Sequence, residues 1–275
     1  MQTRIIWGLA LGILFLFMTM QSLPWVLFSF GVMHIVAQFE FAALRNAPKP
    51  LAFAHVGLTT IAWLIISLCM ADVFSGRLAL VVLLLLMLIY AIVAVVNYER
   101  GRKHQQYLYM LRAVLLITMP MACIPALVIH ESTVPLYLLL IGSSWGADSG
   151  AIFAGKLLGR IPLSPRLSPK KTVEGALGGM LTAGFIWVVA FLVYDYGLGL
   201  PPASADWGKL GLMFLLGAAI ALVGVFGDLV FSMYKRLEEL KDFGKFIPGH
   251  GGVLDRFDSM LFVAPVIYIF SLVIH

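Results

Sequence analysis

Apolar runs of about 20 residues recur along the whole chain, and each is long enough to cross a ~30 Å hydrocarbon layer at 1.5 Å per helical residue. None alternates strictly as a barrel strand would, and inside lipid the backbone must satisfy its own hydrogen bonds. The expected fold is therefore all-α: a polytopic integral membrane bundle. The chain is 61% hydrophobic and 12% charged, against roughly 25% charged for a soluble domain. No stretch between the runs is long enough to build a core of its own.

Nine spans are expected, near residues 5–20, 23–41, 51–70, 78–96, 112–129, 134–158, 175–193, 210–230 and 253–274. Residues 1–275 are read as one transmembrane domain, with 1–133 mainly structural and 134–275 carrying the chemistry. Arg4 before the first run also resembles a signal-peptide start, but residues 18–22 hold no small-x-small cleavage site, so the run is kept as a helix. All the Lys and Arg residues except Arg77 and Lys209 fall at the amino end or in alternate loops. The positive-inside rule then puts the amino terminus in the cytosol and the carboxyl terminus outside. Those short loops account for the net charge of +5 better than a nucleic-acid partner does. Cys69 and Cys123 sit in apolar runs with no paired spacing and are read as packing residues. Gly-x-x-x-Gly pairs at Gly8/Gly12, Gly146/Gly150, Gly155/Gly159 and Gly175/Gly179 are a weak sign of close helix contacts.

One polar insert, Ser232 to Asp258, interrupts the apolar pattern, and three acids lie in or against spans: Asp148, Asp228 and Asp255. An ionisable group inside a membrane is costly and marks a site by default. With the assigned topology, Asp148 lies about 21 Å and Asp228 about 27 Å along a ~30 Å inward path. Asp255 opens the last span on that same cytosolic side, where a carboxylate in a helix's first turn also suits the dipole without further cause.

Asp228, Ser232, Lys235 and Arg236 share one helical face. Acids at the membrane end with cations beyond them suit a metal bound to phosphates, although snorkelling at a helix end explains the two cations equally well. Ser168 and Pro169 are expected as N-cap and first residue of the seventh helix. Lys170 and Lys171 would then lie in its first turn, a placement that a bound anion would favour. The turn Pro248-Gly249-His250-Gly251-Gly252 is expected to bring backbone N–H groups near an anion at the start of the last helix, with His250 donating to phosphate or moving a proton. No role is assigned to His34, Gln38, His55, His104, His130 or His275, and Glu40 is expected to cap its span or pair with Arg45.

Read together, Asp148-Ser149-Gly150, Ser168-Pro169-Lys170-Lys171-Thr172-Val173-Glu174-Gly175, Gly227-Asp228, Ser232, Lys235-Arg236, Lys241-Asp242, Pro248 to Gly252 and Asp255-Arg256-Phe257-Asp258 resemble the signature of the phosphatidate cytidylyltransferases (CDP-diacylglycerol synthases). Tyr234 is a departure, since the family more often has an aliphatic residue there. The resemblance covers about the second half of the chain. It implies Mg²⁺-dependent transfer of CMP from CTP to phosphatidic acid in a bacterial inner membrane, with the site facing the cytosol. It also implies Asp228 and Asp255 as catalytic metal ligands, Asp148 and Asp258 as further ligands or as partners of those ligands, and Lys235, Arg236, Lys241 and His250 as catalytic groups. Ser168, Lys170, Lys171, Ser232, Gly251, Gly252 and Arg256 would bind substrate. A second cation stays open, and a homodimer is implied by the family alone. The rivals are a CTP-dependent lipid kinase, a cytidylyltransferase for another lipid, and an ion-coupled transporter. A transporter predicts midplane charges and internal repeats that the sequence does not display, and no Gly-Lys is followed by Ser or Thr as a P-loop requires.

Overall fold

The computed structural model describes residue 17 and residues 22–44, 48–99, 105–129, 136–196, 207–244 and 251–274. Among these residues, seven helices are long and apolar enough to cross a membrane, and the protein is an integral membrane protein. Helix α1 is Leu23–Ala43, α2 Lys49–Met70 and α3 Gly76–Glu99. A π turn at Val114–Thr118 joins α4 (Gln105–Ala113) to α5 (Met119–Ile129). Proline in the first turns of α1 and α2 fits a position where the missing N–H has no partner to lose.

The expected first span lies outside the described residues except for Phe17. The expected sixth span is present as one continuous helical run made of α6 (Leu136–Ile141), a π turn at Gly142–Gly146 and α7 (Ala147–Leu158). The two glycines and two serines of that turn favour the regular α-helix interior less than the leucines before them, which suits a local π turn. Ser144 also donates its hydroxyl back to the Leu140 carbonyl at 2.6 Å. Helix α8 is Val173–Tyr196, α9 Trp207–Leu237 and α10 Leu254–Ile274.

The largest correction concerns residues 162–172. The expected N-cap at Ser168 is instead the start of strand β2 (Ser168–Thr172), paired antiparallel with β1 (Pro162–Ser164). Helix α8 begins at Val173, and Thr172 is its cap, accepting the Gly175 N–H at 3.1 Å. Glu174 holds the hairpin from the helix side by accepting the backbone N–H of Arg160 at 3.0 Å and of Ile161 at 3.2 Å. Lys170 and Lys171 are therefore strand residues, and the unfavourable dipole position expected for them does not arise.

The described residues divide into two compact units, drawn from Met1–Ile129 with Glu238–Phe257 and from His130–Leu237 with Asp258–His275. In the first unit, Phe30, Trp63, Ile66, Ile117 and Met121 are fully buried around a polar cluster. Gln38 donates to the Thr118 hydroxyl at 2.8 Å, the His55 Nε2 and Gln38 Oε1 are 2.9 Å apart, and His55 Nδ1 bonds the Tyr90 hydroxyl. Such side-chain bonds fix how membrane helices are rotated against one another.

In the second unit, glycine sets the contact of α7 with α8. A Cβ on Gly150 would lie 2.1 Å from Thr182 Oγ1, and one on Gly178 2.2 Å from Ala154 Cβ. Trp187 of α8 fills a notch at Gly217 of α9 and donates its indole N–H to Ser143 Oγ at 2.7 Å. Gly227 of α9 lets the backbone come against α10, where an added Cβ would meet the Asp258 carbonyl at 2.8 Å.

Candidate active site

In the second unit, three of the expected acids gather around one lysine. Alternation along β2 sends adjacent lysines to opposite faces, so Lys170 is exposed while Lys171 turns inward. The Lys171 ammonium forms an ion pair with the Asp228 carboxylate of α9 and feels the negative charges of Asp148 and Asp258. Asp148, from α7, accepts the Ser259 hydroxyl at 3.3 Å, and Asp258 accepts the Ser259 backbone N–H at 2.8 Å. The close approach at Gly227 brings the Asp228 region of α9 beside the Asp258 region of α10.

Cations continue along α9. Ser232 and Lys235 are buried, Arg236 is exposed, and Arg236 Nε donates to the Leu167 carbonyl between the strands at 3.2 Å. Burial pulls the Lys171 ammonium below the usual lysine range; the carboxylates of Asp148 and Asp258 oppose that shift and Lys235 adds to it. The ion pair is not sealed. Lys171 keeps 31% and Asp228 16% of their side-chain surface exposed, so an incoming cation or phosphate can exchange with either partner.

The first unit contains the other expected residues. Asp255 stands in the first turn of α10, and its Oδ2 accepts the N–H of Phe243 at 2.8 Å and of Gly252 at 2.9 Å. The next two donors go to another carboxylate: Glu40 of α1 accepts the N–H of Val253 and of Leu254, each at 2.9 Å. The backbone donors expected to meet an anion at residues 252–254 are thus engaged by protein carboxylates. Gly251 has φ +85, where a side chain would be strained, and a Cβ there would also come 2.7 Å from Asp255 Oδ2. Lys241 is exposed and Arg256 half-buried, while His250 lies outside the described residues.

Sequence reasoning assigned no site role to Glu40, Ser259 or Glu174. Glu40 carried the same signal as Asp148, an acid inside an apolar run, but Arg45 offered an ordinary partner nearby. Arg45 itself lies outside the described residues.

The carboxylates suit Mg²⁺ by donor type, because that ion takes hard oxygen ligands. Among the described residues, no three ligating side chains already form a closed cage.

Residues 2–274 match the family model described as the cytidylyltransferase family. A phosphatidate cytidylyltransferase of Rickettsia felis is 34% identical over 164 residues, which is 60% of this chain and 70% of that protein. One from Staphylococcus haemolyticus is 39% identical over 134 residues, 49% of this chain and 47% of its own. One from Bacillus subtilis is 44% identical over 124 residues, 45% of this chain and 42% of its own.

Proposed function

Because the chain belongs to the cytidylyltransferase family, we propose that it transfers CMP from CTP to phosphatidic acid, giving CDP-diacylglycerol and pyrophosphate. The observation that carries this reading is the cluster of Asp148, Asp228 and Asp258 around the Lys171 ammonium, with Lys235 and Arg236 further along α9. Acids next to mobile cations in a membrane protein suit a substrate that brings phosphates and a metal together.

The step is an in-line displacement. A phosphate oxygen of the lipid attacks the α-phosphorus of CTP, a new P–O bond forms, and the bond from the α-phosphorus to the bridging oxygen breaks as pyrophosphate leaves. A phosphate monoester with a second pKa near 6 is already largely dianionic at neutral pH, so the attacking oxygen needs no strong base. Positioning and charge neutralisation are what the protein must supply. Asp228 and Asp255 are proposed as the metal-holding carboxylates, with Asp148 and Asp258 as further ligands. Bound Mg²⁺ would neutralise charge on the CTP phosphates. Lys171, Lys235, Arg236, Lys170, Lys241 and Arg256 would meet phosphate oxygens, divided between pyrophosphate and lipid headgroup. The proposed setting is a bacterial inner membrane with the site on the cytosolic side, consistent with the Lys and Arg distribution.

The test is to incubate the purified full chain in detergent with CTP labelled at the α-phosphate, Mg²⁺ and phosphatidic acid. Labelled CDP-lipid with one pyrophosphate per turnover is the expected result. Release of CDP with an unlabelled phosphorylated lipid would identify a CTP-dependent kinase instead. If neither product forms with folded protein, the enzymatic reading fails.

A further inference from the structure

Glu40 is 9% exposed, and its carboxylate is divided between two amides: Oε1 accepts from Val253 and Oε2 from Leu254. These are donors at the amino end of α10, where a helix leaves N–H groups without internal partners and where its dipole favours a negative charge. A local Ser, Thr, Asp or Asn usually meets that need. Here Gly252 and Val253 have no side-chain oxygen, and the acceptor comes from a helix more than 200 residues earlier, at a separation of 213.

Gly244 and Gly252 both leave room for this carboxylate. A Cβ on Gly244 would lie 2.6 Å from Glu40 Oε1, and one on Gly252 would lie 2.5 Å from both oxygens. Phe41, next to Glu40, stacks on Phe243 with ring centroids 6.5 Å apart, and on its other side stacks on Tyr109 at 4.7 Å. The end of α1 thus holds the segment at residues 243–244 and again at 252–254. Asp255 reaches back across that span, with Oδ2 accepting from both Phe243 and Gly252.

We infer that Glu40 is a positioning residue: it orients Asp255 by fastening the start of α10 together with residues 244 and 252, and does not itself touch the reacting groups. The inference rests on the function proposed above for its kinetic consequence, but not for the contact itself.

The test uses the full chain in detergent and compares Glu40→Gln with Glu40→Asp. Glutamine keeps the shape but sets an NH₂ against one of the two donors, whereas aspartate keeps the charge on a shorter stem. Misplacing a group by about 1 Å costs about a hundredfold. Glu40→Gln should therefore lower kcat about a hundredfold while KM for CTP moves less than about threefold, and Glu40→Asp should recover about tenfold of that loss. The thermal midpoint of Glu40→Gln should change by less than about 4 °C. Amide hydrogen exchange should quicken only within residues 243–256. Wild-type kcat in Glu40→Gln overturns the proposal. So does faster exchange throughout α1 to α5, which would mark a cap that only stabilises the unit. If Glu40→Gln does not fold, Gly244→Ala takes its place, because the added methyl displaces the same carboxylate without removing its charge; unchanged kcat there also overturns the proposal. Hydrogen exchange requires no substrate. Failure of the wild-type protein to make CDP-lipid therefore removes the proposed function while leaving the contact to be judged on exchange alone.

Discussion

The two units treat their carboxylates in opposite ways. In the second, Asp228 faces the ammonium of Lys171, with Asp148 and Asp258 close enough to act on the same charge. In the first, Glu40 and Asp255 face backbone N–H groups of residues 243 and 252–254. An ammonium on a flexible stem can be replaced by a metal ion or drawn to a phosphate, and the carboxylate it leaves is then available. A backbone amide cannot leave without unfolding its loop. The ion-paired carboxylates can thus be freed by exchange of a cation, whereas the amide-bound ones, Asp255 among them, are held in a fixed position.

The largest effect that sharpens this contrast is expected at Asp228. Asp228→Asn should lower kcat/KM about a thousandfold, the size typical of losing one electrostatic group at a reacting centre, with the thermal midpoint nearly unchanged. A large fall in midpoint would instead mark the pair as structural. Next comes the lysine pair on β2. Lys171→Met should cost about a hundredfold in kcat/KM and Lys170→Met at least tenfold less, because strand alternation turns only Lys171 toward the acids; equal losses would break the alternation argument. At the packing level, Gly178→Ala places a methyl 2.2 Å from Ala154 Cβ and should cost about 1–3 kcal/mol of stability, as overpacking does. Ala154→Gly in the same chain should restore most of it, seen as recovery of the denaturation midpoint. Smallest is the α8 cap: Thr172→Ala should cost about 1 kcal/mol in the same measurement, with a modest loss of activity because β2 carries Lys171.

The helices were legible because hydrophobic length alone specifies them: the spans expected at 23–41, 51–70, 78–96 and 175–193 are all present as long helices. The span expected at 210–230 runs on to Leu237, which keeps Asp228, Ser232, Lys235 and Arg236 on one continuous helix as expected. The hairpin was not legible. Ser168 before Pro169 adopts extended backbone both as an N-cap and in a strand, so the local sequence cannot separate the two. What decides is Glu174, whose carboxylate closes the hairpin onto the helix start from 13 and 14 residues away. Glu40 was missed for a related reason. A nearby arginine is visible in the sequence, whereas two amides at separations of 213 and 214 residues are not. The acids of the second unit were found because their cost inside lipid is a property of each residue alone, which needs no knowledge of its partners.

The separation that hid Glu40 also imposes an order on assembly. Helix α7, the hairpin and α8 are contiguous, so their glycine-lined contact can close as soon as Tyr196 has been made. Contacts between sequence neighbours form ahead of distant ones because less chain must be ordered to reach them. The carboxylate of Glu40 is in place from the second predicted span onward, yet its two donors arrive only with residues 253 and 254, when the chain is almost fully synthesised. Until then it lacks those two donors, and the last helix is what supplies them. A ribosome-bound chain that has not yet released Leu254 can already pair Lys171 of β2 with Asp228 of α9, but it cannot yet fasten the start of α10 to Glu40.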